Sequence, residues 1–377
     1  MRVRTLRRAL VGVALISGIA ATTLPGTAVA ELSAASGRQE LARALDHLVR
    51  VGGVPGAQAV VSERGRSREV ASGAGDLRTG RPFPHQAHVR IGSNTKTFVA
   101  TVVLQLVAEG RVRLDTAVEQ YLPGVVRGNG NDGTRITVRH LLQHTSGLPD
   151  YLELVNPLRD RWRHFEAAEL VKTALTLRSH FEPGAKWEYS NTNYVLTGML
   201  IEKMTGRSAA EEITRRIITP LGLAATYYPL PHETGVRGPH PRGYQEIDGR
   251  RVDFTEQDPS WGGAAGAMVS TGADVNRFFA SLLAGRLLPP ALLEEMKRTV
   301  PADVFPGAAY GLGLIRIPVS CGKEFWGHGG SIPGFRTRGG ATADGRAVNV
   351  TVNQVLPTEQ ANAAVMRAVD TAVCSAA

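Results

Sequence analysis

The sequence has few cysteines, few aromatic residues and, beyond its first 30 residues, no apolar run that could cross a bilayer. Two cysteines in 377 residues exclude a scaffold held by many disulfides, a cysteine-rich zinc site and a thiolate-held iron–sulfur cluster. Hydrophobic residues make up 43% of the chain and charged residues 20%, a composition that excludes a disordered protein. The length predicts one large domain or two closely joined domains.

The first 30 residues have the pattern of an export signal. An apolar run from Ala9 to Ala21 follows four arginines, and Ala28-Val29-Ala30 is a small-residue cleavage site. The run is too short for a spanning helix of about 20 residues, which argues against a retained anchor. Removing residues 1–30 takes away four arginines and no acid, so the formal net charge falls from +9 to +5. We expect a secreted, extracytoplasmic protein without membrane contact, and Arg7-Arg8 leaves the twin-arginine route open.

Strand patterns occupy both ends of the mature chain, and helical patterns occupy its middle. A helix is predicted from Ser36, its N-cap, to Val49, followed by a hairpin of Ala57–Ser62 and Glu69–Ser72. The fold class is therefore α/β: an antiparallel sheet flanked by helices from residues 31–92 and 286–377, plus an inserted, mostly helical domain at 93–285. Near the C-terminus we predict three strands and a closing helix: Gly311–Ile317, Gly340–Thr342, Ala347–Val355 and Glu359–Val373.

A serine and a lysine stand at the start of a helix that has almost no polar face. Apolar residues dominate Thr95–Gly110, so this helix should be buried on all sides. Ser93 and Lys96 are three residues apart, which places them on one face with the lysine directed back toward the serine. A lysine in an apolar pocket has a lowered pKa and can take the proton that a nucleophilic serine must lose. The same spacing also fits a helix cap followed by a solvated lysine.

Two further groups of residues have the chemistry that a reactive serine needs. Tyr189 and Asn191 precede an apolar helix at Tyr194–Met204. A phenol near a lysine cation can act as a base, and an asparagine amide can bind a substrate amide. His328 stands before Gly329-Gly330-Ser331, where glycines let the backbone approach a ligand closely. Alone, the first group also fits a helix-capping turn and the second an ordinary bulged edge strand.

The order Ser-x-x-Lys, Tyr-x-Asn, His-x-Gly resembles the penicillin-recognising serine hydrolases, which have the β-lactamase/transpeptidase-like fold. The elements begin at Ser93, Tyr189 and His328, where the class A set has S-x-x-K, S-D-N and K-T-G. The tyrosine and histidine variants resemble the branch of class C β-lactamases and soluble actinomycete D-Ala-D-Ala carboxypeptidases. The resemblance covers nearly the whole mature chain, including residues 140–150 (HLLQHTSGLPD), 187–206, 263–271 and 310–313.

The resemblance implies a role for each position, with the active site at the junction of the two domains. Ser93 would be acylated, and Lys96 and Tyr189 would share proton transfer. The N–H groups of Ser93 and Ser331 would form the oxyanion hole, while His144 is interpreted as structural. The implied substrate-binding residues are Asn191, Trp261, His328, Gly329, Gly330 and Ser331. No metal and no cofactor are implied.

The sequence lacks the motifs of several other catalytic chemistries. No Gly-x-Ser-x-Gly elbow, His-Glu-x-x-His zinc motif or Walker loop occurs, and Gly128–Gly133 is interpreted as a loop. Basic residues are interspersed with acidic ones, so we expect no nucleic-acid surface. The partner is therefore a small peptide, ester or β-lactam substrate, and the protein is expected to be a monomer. Cys321 and Cys374 should pair in an exported protein, with two separate thiols as the alternative.

Two positions bear on the choice of substrate. Gly329 stands where the resembled carboxypeptidases have a threonine that helps to bind the terminal carboxylate of the substrate. Ile315 stands where they tend to have an arginine, and Arg316 should point to the opposite face of the strand. A wall without a fixed cation would favour uncharged leaving groups. The side chains that could compensate are Ser331, Arg336 and Arg338.

The sequence thus predicts an exported serine D-Ala-D-Ala carboxypeptidase or related D-peptidase of cell-wall metabolism, which binds penicillin and acts through an acyl-enzyme. One alternative is a β-lactamase-like esterase, D-aminopeptidase or D-amidase. Another is a penicillin-binding sensor without turnover. Such a sensor would normally lack one of Ser93, Lys96 or Tyr189, all of which are present.

Overall fold

The computed structural model describes residues 25–355 and 358–375, so most of the predicted export signal lies outside the described residues. No helix of the described part combines the length and apolar character needed to span a membrane.

The strands are β1 Gly56–Glu63, β2 Arg66–Gly73, β3 Val89–Arg90, β4 Arg127–Gly128, β5 Asn131–Asp132, β6 Tyr244–Ile247, β7 Arg250–Asp253, β8 Val269–Ser270, β9 Val300–Pro301, β10 Ala309–Tyr310, β11 Ile315–Ile317, β12 Phe325–Ile332, β13 Phe335–Thr342 and β14 Ala347–Val352. The helices are α1 Pro25–Arg50, α2 Thr95–Ala108, α3 Val138–Gln143, α4 Ala167–Ala174, α5 Thr192–Thr205, α6 Ala209–Ile213, α7 Thr219–Leu221, α8 Gly263–Gly266, α9 Gly272–Leu283, α10 Pro290–Lys297 and α11 Glu359–Cys374.

One antiparallel sheet of eight strands joins both ends of the chain, in the order β2-β1-β14-β13-β12-β11-β10-β9. Strand β1 pairs with β14, which places Ala57 opposite Val352. Strands β12 and β13 form a long hairpin, in which His328 lies opposite Gly339. The predicted fold class, an antiparallel sheet flanked by helices together with a helical insertion, is confirmed.

Helices cover both faces of the sheet. On one face, α1 and α11 pack against each other and against β1 and β14, and Leu45 and Val369 belong to the apolar core buried there. On the other face, α9 packs against β1, β13 and β14. The domain boundaries stay a prediction, and the boundary at residue 285 assigns α9 to the helical part although α9 covers the sheet.

Helix α2 lies in the core of the helical part, as its apolar sequence predicts. Every residue from Thr95 to Leu104 is buried, and so is Leu106. The helix packs against α5, α6 and α8, and Gly110, with a φ of 70°, turns the chain just after its end. Because each large apolar side chain contributes about 1.5–3 kcal/mol when buried, the position of the α2 N-terminus is strongly fixed.

The N-terminal helix and one loop differ from the sequence prediction. Helix α1 begins at Pro25, so Ser36 lies within the helix and is not its cap. The alanine-rich sequence before Ser36 has a high helix propensity, which lets the helix extend further back. Gly128–Gly133 is not a plain loop, because β4 and β5 form a short antiparallel hairpin there.

The predicted C-terminal strands are in the right region, but their bounds differ. The stretch from Gly311 to Leu314 forms the turn between β10 and β11, where Gly313 has a φ of 72°. Residues 340–342 are the end of the longer strand β13, and β14 ends at Val352 instead of continuing to residue 355. The hairpin of β1 and β2 and the closing helix α11 lie where the sequence predicts them.

Candidate active site

Ser93 lies just before α2, in a single 3-10 turn formed by Gly92–Asn94. Gly92 has a φ of 49°, a backbone conformation that glycine adopts at little cost. The Asn94 side chain donates to the Ile91 carbonyl oxygen at 2.8 Å and so stabilises the turn. Ser93 is partly exposed while the residues around it are buried. The hydroxyl group is therefore accessible at the end of a rigid, buried helix.

Lys96 is fully buried, and its side-chain nitrogen contacts three oxygen atoms. Nζ lies 3.0 Å from Ser93 Oγ, 2.8 Å from Asn191 Oδ1 and 2.7 Å from the Ala265 carbonyl oxygen. Burial lowers the pKa of Lys96 to about 7, although the charge of Asp150 acts in the opposite direction. A neutral amine has two hydrogens, and Nζ can donate them in hydrogen bonds to Asn191 Oδ1 and to the Ala265 carbonyl oxygen. Its lone pair is then directed at the serine hydroxyl and can accept that proton.

Tyr189 lies beside both residues but is held in its neutral form. Lys96 Nζ is 4.8 Å from the centre of the Tyr189 ring, and the ring of His144 stacks on the Tyr189 ring with their centres 4.2 Å apart. Burial raises the pKa of Tyr189 well above that of a free phenol, and a hydrogen bond with Ser93 and the charge of Arg338 offset this only in part. Burial thus favours the neutral form of this phenol, and its expected part in proton transfer stays a prediction. Lys96, whose pKa is lowered, is therefore the better candidate for the base.

Asn191 is held in one orientation by Asp150. The Asp150 carboxylate accepts hydrogen bonds from the Asn191 backbone N–H at 3.0 Å and from its side-chain amide at 2.7 Å. It also accepts from the Leu152 N–H at 3.0 Å. Burial raises the pKa of Asp150, and these hydrogen bonds and the charge of Lys96 oppose that shift. The Asn191 amide thus bonds to Lys96 through its oxygen and to Asp150 through one N–H, so its second N–H can bind a substrate carbonyl.

His328 contributes a buried, neutral ring to the opposite wall. Burial lowers the pKa of His328 to about 3, and the charges of Lys96 and Arg338 act in the same direction. Its Nε2 lies 3.0 Å from the Tyr310 hydroxyl. In the class A set this element begins with a lysine. The histidine here supplies a polar group but no positive charge.

Strand β12 passes very close to the start of α2 because it has glycine there. A Cβ atom on Gly330 would lie 1.9 Å from the Ile91 carbonyl oxygen and 3.0 Å from the Ser93 nitrogen. A Cβ atom on Gly92 would lie 3.0 Å from the Ser331 nitrogen. Only glycine fits at position 330. Because Gly330 has no side chain, β12 can approach the start of α2 so closely that the backbone nitrogens of Ser93 and Ser331 lie near each other. This is the backbone arrangement that an oxyanion hole requires.

The site opens into a cavity of about 400 Å³. The Tyr151 hydroxyl donates to the Trp261 carbonyl oxygen at 2.6 Å and fixes one wall. Ile315 is buried while Arg316 is exposed, so the predicted direction of Arg316 away from the site is confirmed. Apolar side chains form most of the lining: Leu152, Trp187, Trp261, Phe305, Ile315 and Ile317.

Seven of the nine residues predicted for catalysis and substrate binding line this cavity: Ser93, Tyr189, Asn191, Trp261, His328, Gly329 and Ser331. Of the other two, Lys96 has its Nζ 3.0 Å from Ser93 Oγ, and Gly330 precedes Ser331 in β12. Asp150, the Ala265 carbonyl and Tyr310 also contact them, and the sequence analysis did not include these three. Asp150 and Tyr310 lie in segments that carry the family resemblance, which is the only signal that could have indicated them. Ala265 acts through its backbone and gives no side-chain signal.

Two other predicted features lie outside the cavity lining. Cys321 and Cys374 form a disulfide with Cα atoms 5.6 Å apart, which joins the turn after β11 to the last residue of α11. His144 is fully buried, and its Nδ1 lies 3.3 Å from the Ser190 nitrogen and 3.1 Å from the Asn193 amide nitrogen. These contacts and its stacking on Tyr189 agree with a structural role.

The fold and the arrangement around Ser93 are those of a serine hydrolase. The Beta-lactamase family model matches residues 41–372, so the chain belongs to the beta-lactamase family of serine hydrolases. This confirms the relationship that the three sequence motifs predict.

Several known proteins are similar to this chain. Penicillin-binding protein 4 of Amycolatopsis lactamdurans is 32% identical over 229 residues, which are 60% of this chain and 58% of that protein. The chain spans about half the length of the curated relatives that it matches. The crystal structure of the D-stereospecific amidohydrolase from Streptomyces sp. is 41% identical, with a TM-score of 0.78 over 84% of this chain and 94% of that one. The D-amino acid amidase from Ochrobactrum anthropi SV3 is 31% identical, with a TM-score of 0.77 over 89% of this chain and 98% of that one.

Proposed function

We propose that this protein is an exported serine hydrolase that cleaves amide bonds of D-amino acid residues through an acyl-enzyme on Ser93. The observation that carries the proposal is the 3.0 Å contact between Lys96 Nζ and Ser93 Oγ, in a lysine whose other hydrogens are directed at two carbonyl oxygens. The similarity to a D-stereospecific amidohydrolase and a D-amino acid amidase supports D-specificity. The signal pattern and the disulfide support export.

The geometry supports a simple sequence of proton transfers. Lys96 accepts the Ser93 proton as Oγ attacks the substrate carbonyl carbon, and the N–H groups of Ser93 and Ser331 stabilise the resulting oxyanion. Tyr189, which keeps its proton, donates it to the leaving nitrogen, and Lys96 returns a proton to the phenol. The C–N bond breaks, and the acyl group stays on Ser93. Water then attacks the ester by the reverse route and releases the acid.

The D-Ala-D-Ala carboxypeptidase that the sequence predicts is one form of this activity, and a D-amidase is another. The two differ in the leaving group, which is an amino acid with a free carboxylate in the first case and ammonia or an amine in the second. The mainly apolar cavity lining is compatible with both as a binding site for the D-side chain. An esterase activity uses the same acyl-enzyme, with an alcohol as the leaving group.

Mass spectrometry and a set of D- and L-substrates test the proposal. Penicillin should add its mass to the wild-type protein and leave Ser93→Ala unmodified. N-acylated D-alanyl-D-alanine, its C-terminal amide and a D-amino acid amide should be hydrolysed in preference to their L-counterparts. Equal rates on D- and L-substrates, or labelling that persists in the Ser93→Ala variant, would contradict it. A stable penicillin adduct with no hydrolysis of any substrate would instead indicate a sensor.

A further inference from the structure

Two histidines and an aspartate from three separate segments meet outside the cavity at Ser93. His164 precedes α4, His232 lies in the loop between α7 and β6, and Asp258 follows β7. One ligand atom from each residue lies within 4.8 Å of the ligand atoms of the other two. None of the three residues lines the cavity at Ser93, and none belongs to the three sequence motifs. The proposed function therefore leaves this cluster without a role.

His164 and Asp258 have the geometry of two neighbouring metal ligands. His164 Nδ1 lies 3.0 Å from Asp258 Oδ2, and two ligand atoms on a tetrahedral zinc ion lie about 3.3 Å apart. The other ring nitrogen of His164, Nε2, lies 3.6 Å from Glu166 Oε1. A histidine that binds a metal usually directs its second N–H at a carboxylate. His164 can thus bind an ion through Nδ1 while its Nε2–H faces Glu166.

Asp258 uses one carboxylate oxygen for the backbone and directs the other at the cluster. Its Oδ1 accepts a hydrogen bond from the Ser260 N–H at 2.9 Å and so caps the 3-10 turn Pro259–Trp261. Its Oδ2 faces His164 instead, and the residue is only 2% exposed. A buried carboxylate needs a cation or hydrogen-bond donors to offset its charge. Oδ2 can therefore bind a cation without loss of the cap.

His232 supplies the third ligand. Its φ of 63° lies in the left-handed region, which histidine adopts more readily than most residues that have a side chain. Its ring centre lies 4.0 Å from the ring centre of His164. His232 is exposed, whereas Asp258 is buried, so an ion can reach the buried carboxylate from solvent past the exposed imidazole.

Hydrogen bonds outside the cluster hold its three segments together. The Gln257 N–H donates to the Thr234 carbonyl oxygen at 3.0 Å, and the Asp258 N–H donates to the Arg161 carbonyl oxygen at 2.9 Å. The fully buried Arg90 also donates to the carbonyl oxygens of Thr234 and Gln257. The fold therefore positions the ligand segments before any ion binds, which lowers the entropic cost of binding.

We propose that His164, His232 and Asp258 bind Zn²⁺ or a similar divalent transition metal, with water as the fourth ligand. Imidazole nitrogen and carboxylate oxygen are common ligands of zinc, whereas Ca²⁺ and Mg²⁺ prefer oxygen ligands alone. The ion joins the segment before α4 and the loop between α7 and β6 to the turn that ends at Trp261, which lines the active-site cavity. The inference is independent of the proposed function.

Zinc binding to the purified protein, without an affinity tag, tests the site. After treatment with a chelator and removal of that chelator, calorimetry with ZnCl₂ should show one zinc ion bound per chain. The thermal unfolding temperature should rise with zinc concentration, because the site exists only in the folded chain. His232→Gln and Asp258→Asn should each lose this binding, while Ser93→Ala should bind zinc as the wild type does. Thermal unfolding without zinc checks that each variant is folded. His232 is exposed, and an asparagine oxygen at position 258 can still accept from Ser260.

His85→Gln is the matched control. His85 also contacts a carboxylate, with its Nδ1 3.1 Å from Glu69 Oε2, but it is not part of the cluster, so this variant should bind zinc as the wild type does. Glu166→Gln should weaken zinc binding by about 10- to 100-fold. Anomalous diffraction at the zinc edge should locate the ion between the three ligands. The site would be overturned by a wild type that binds no zinc, by retained binding in His232→Gln or Asp258→Asn, by an equal loss in His85→Gln, or by an ion located elsewhere.

Discussion

At the level of single residues, the proposed chemistry depends on a lysine whose pKa is lowered in the folded protein. Burial lowers the pKa of Lys96 to about 7, so the amine form predominates above this pH and the ammonium form below it. We expect kcat/KM for an uncharged D-amide to rise with pH, with a midpoint near 7. Lys96→Arg, which stays protonated, should lose about 100- to 10,000-fold in kcat. A wild-type midpoint above pH 9 would mean that Lys96 is not the base.

Asp150 is a positioning residue whose effect can be separated from a general loss of structure. Its charge raises the pKa of Lys96, so Asp150→Asn should move the midpoint of the pH profile to a lower pH. The same change disturbs the two hydrogen bonds that orient Asn191, and kcat should fall roughly 100-fold, the usual effect of a small misplacement.

Asp303→Asn is the matched control for Asp150→Asn. Asp303 also borders the cavity, but Lys96 senses the charge of Asp150 and not that of Asp303. The pH profile of Asp303→Asn should coincide with that of the wild type. A similar shift in both variants would show that the position of Asp150 is irrelevant.

The residues that could be predicted from the sequence are those whose side chains carry a motif. Ser93 and Lys96 are linked by helical spacing, and that link needs no tertiary information. Two of the three Lys96 contacts come from distant parts of the chain, Asn191 and the Ala265 carbonyl. The protonation state of Tyr189 could not be predicted either, because it depends on burial that only the folded structure reveals.

At the level of elements, the site depends on the close approach of β12 to α2. Gly330→Ala places a methyl group 1.9 Å from the Ile91 carbonyl oxygen, so the strand must move away from the serine. Because the oxyanion donors then separate, we expect kcat to fall about 100- to 1,000-fold. Gly235→Ala has open space around its Cβ position and should leave kcat unchanged. Wild-type kcat in Gly330→Ala would show that the strand position is not critical.

Helices and strands could be predicted where their sequence pattern is long. They could not be predicted where the element is very short or where glycine interrupts the pattern. The apolar run of α2 indicates a buried helix, and the structure confirms it. Strand β12 contains Gly327, Gly329 and Gly330, and glycine has a low strand propensity. Strands β9 and β10 have two residues each, too few to show an alternating pattern. The glycines that weaken the strand pattern of β12 include Gly330, which the close approach to α2 requires.

At the level of the whole molecule, both ends of the chain meet in one sheet. Their strand patterns predict a shared layer, but the strand order does not follow from local patterns. The pairing of β1 with β14 joins residues that are nearly 300 positions apart in the chain, such as Ala57 and Val352. Only tertiary packing, with α1 and α11 on one face and α9 on the other, selects this order.

The disulfide is an additional connection between the turn after β11 and the last residue of α11. Cys321 and Cys374 are separated by 53 residues, and opening a loop of that size should lower the free energy of unfolding by about 4 kcal/mol. The double variant Cys321→Ser/Cys374→Ser should therefore unfold at lower denaturant concentration. Neither cysteine lines the cavity, so kcat/KM should match the wild type. The wild-type protein should lose the same stability in reductant, and equal stability of its oxidised and reduced forms would contradict a stabilising bridge.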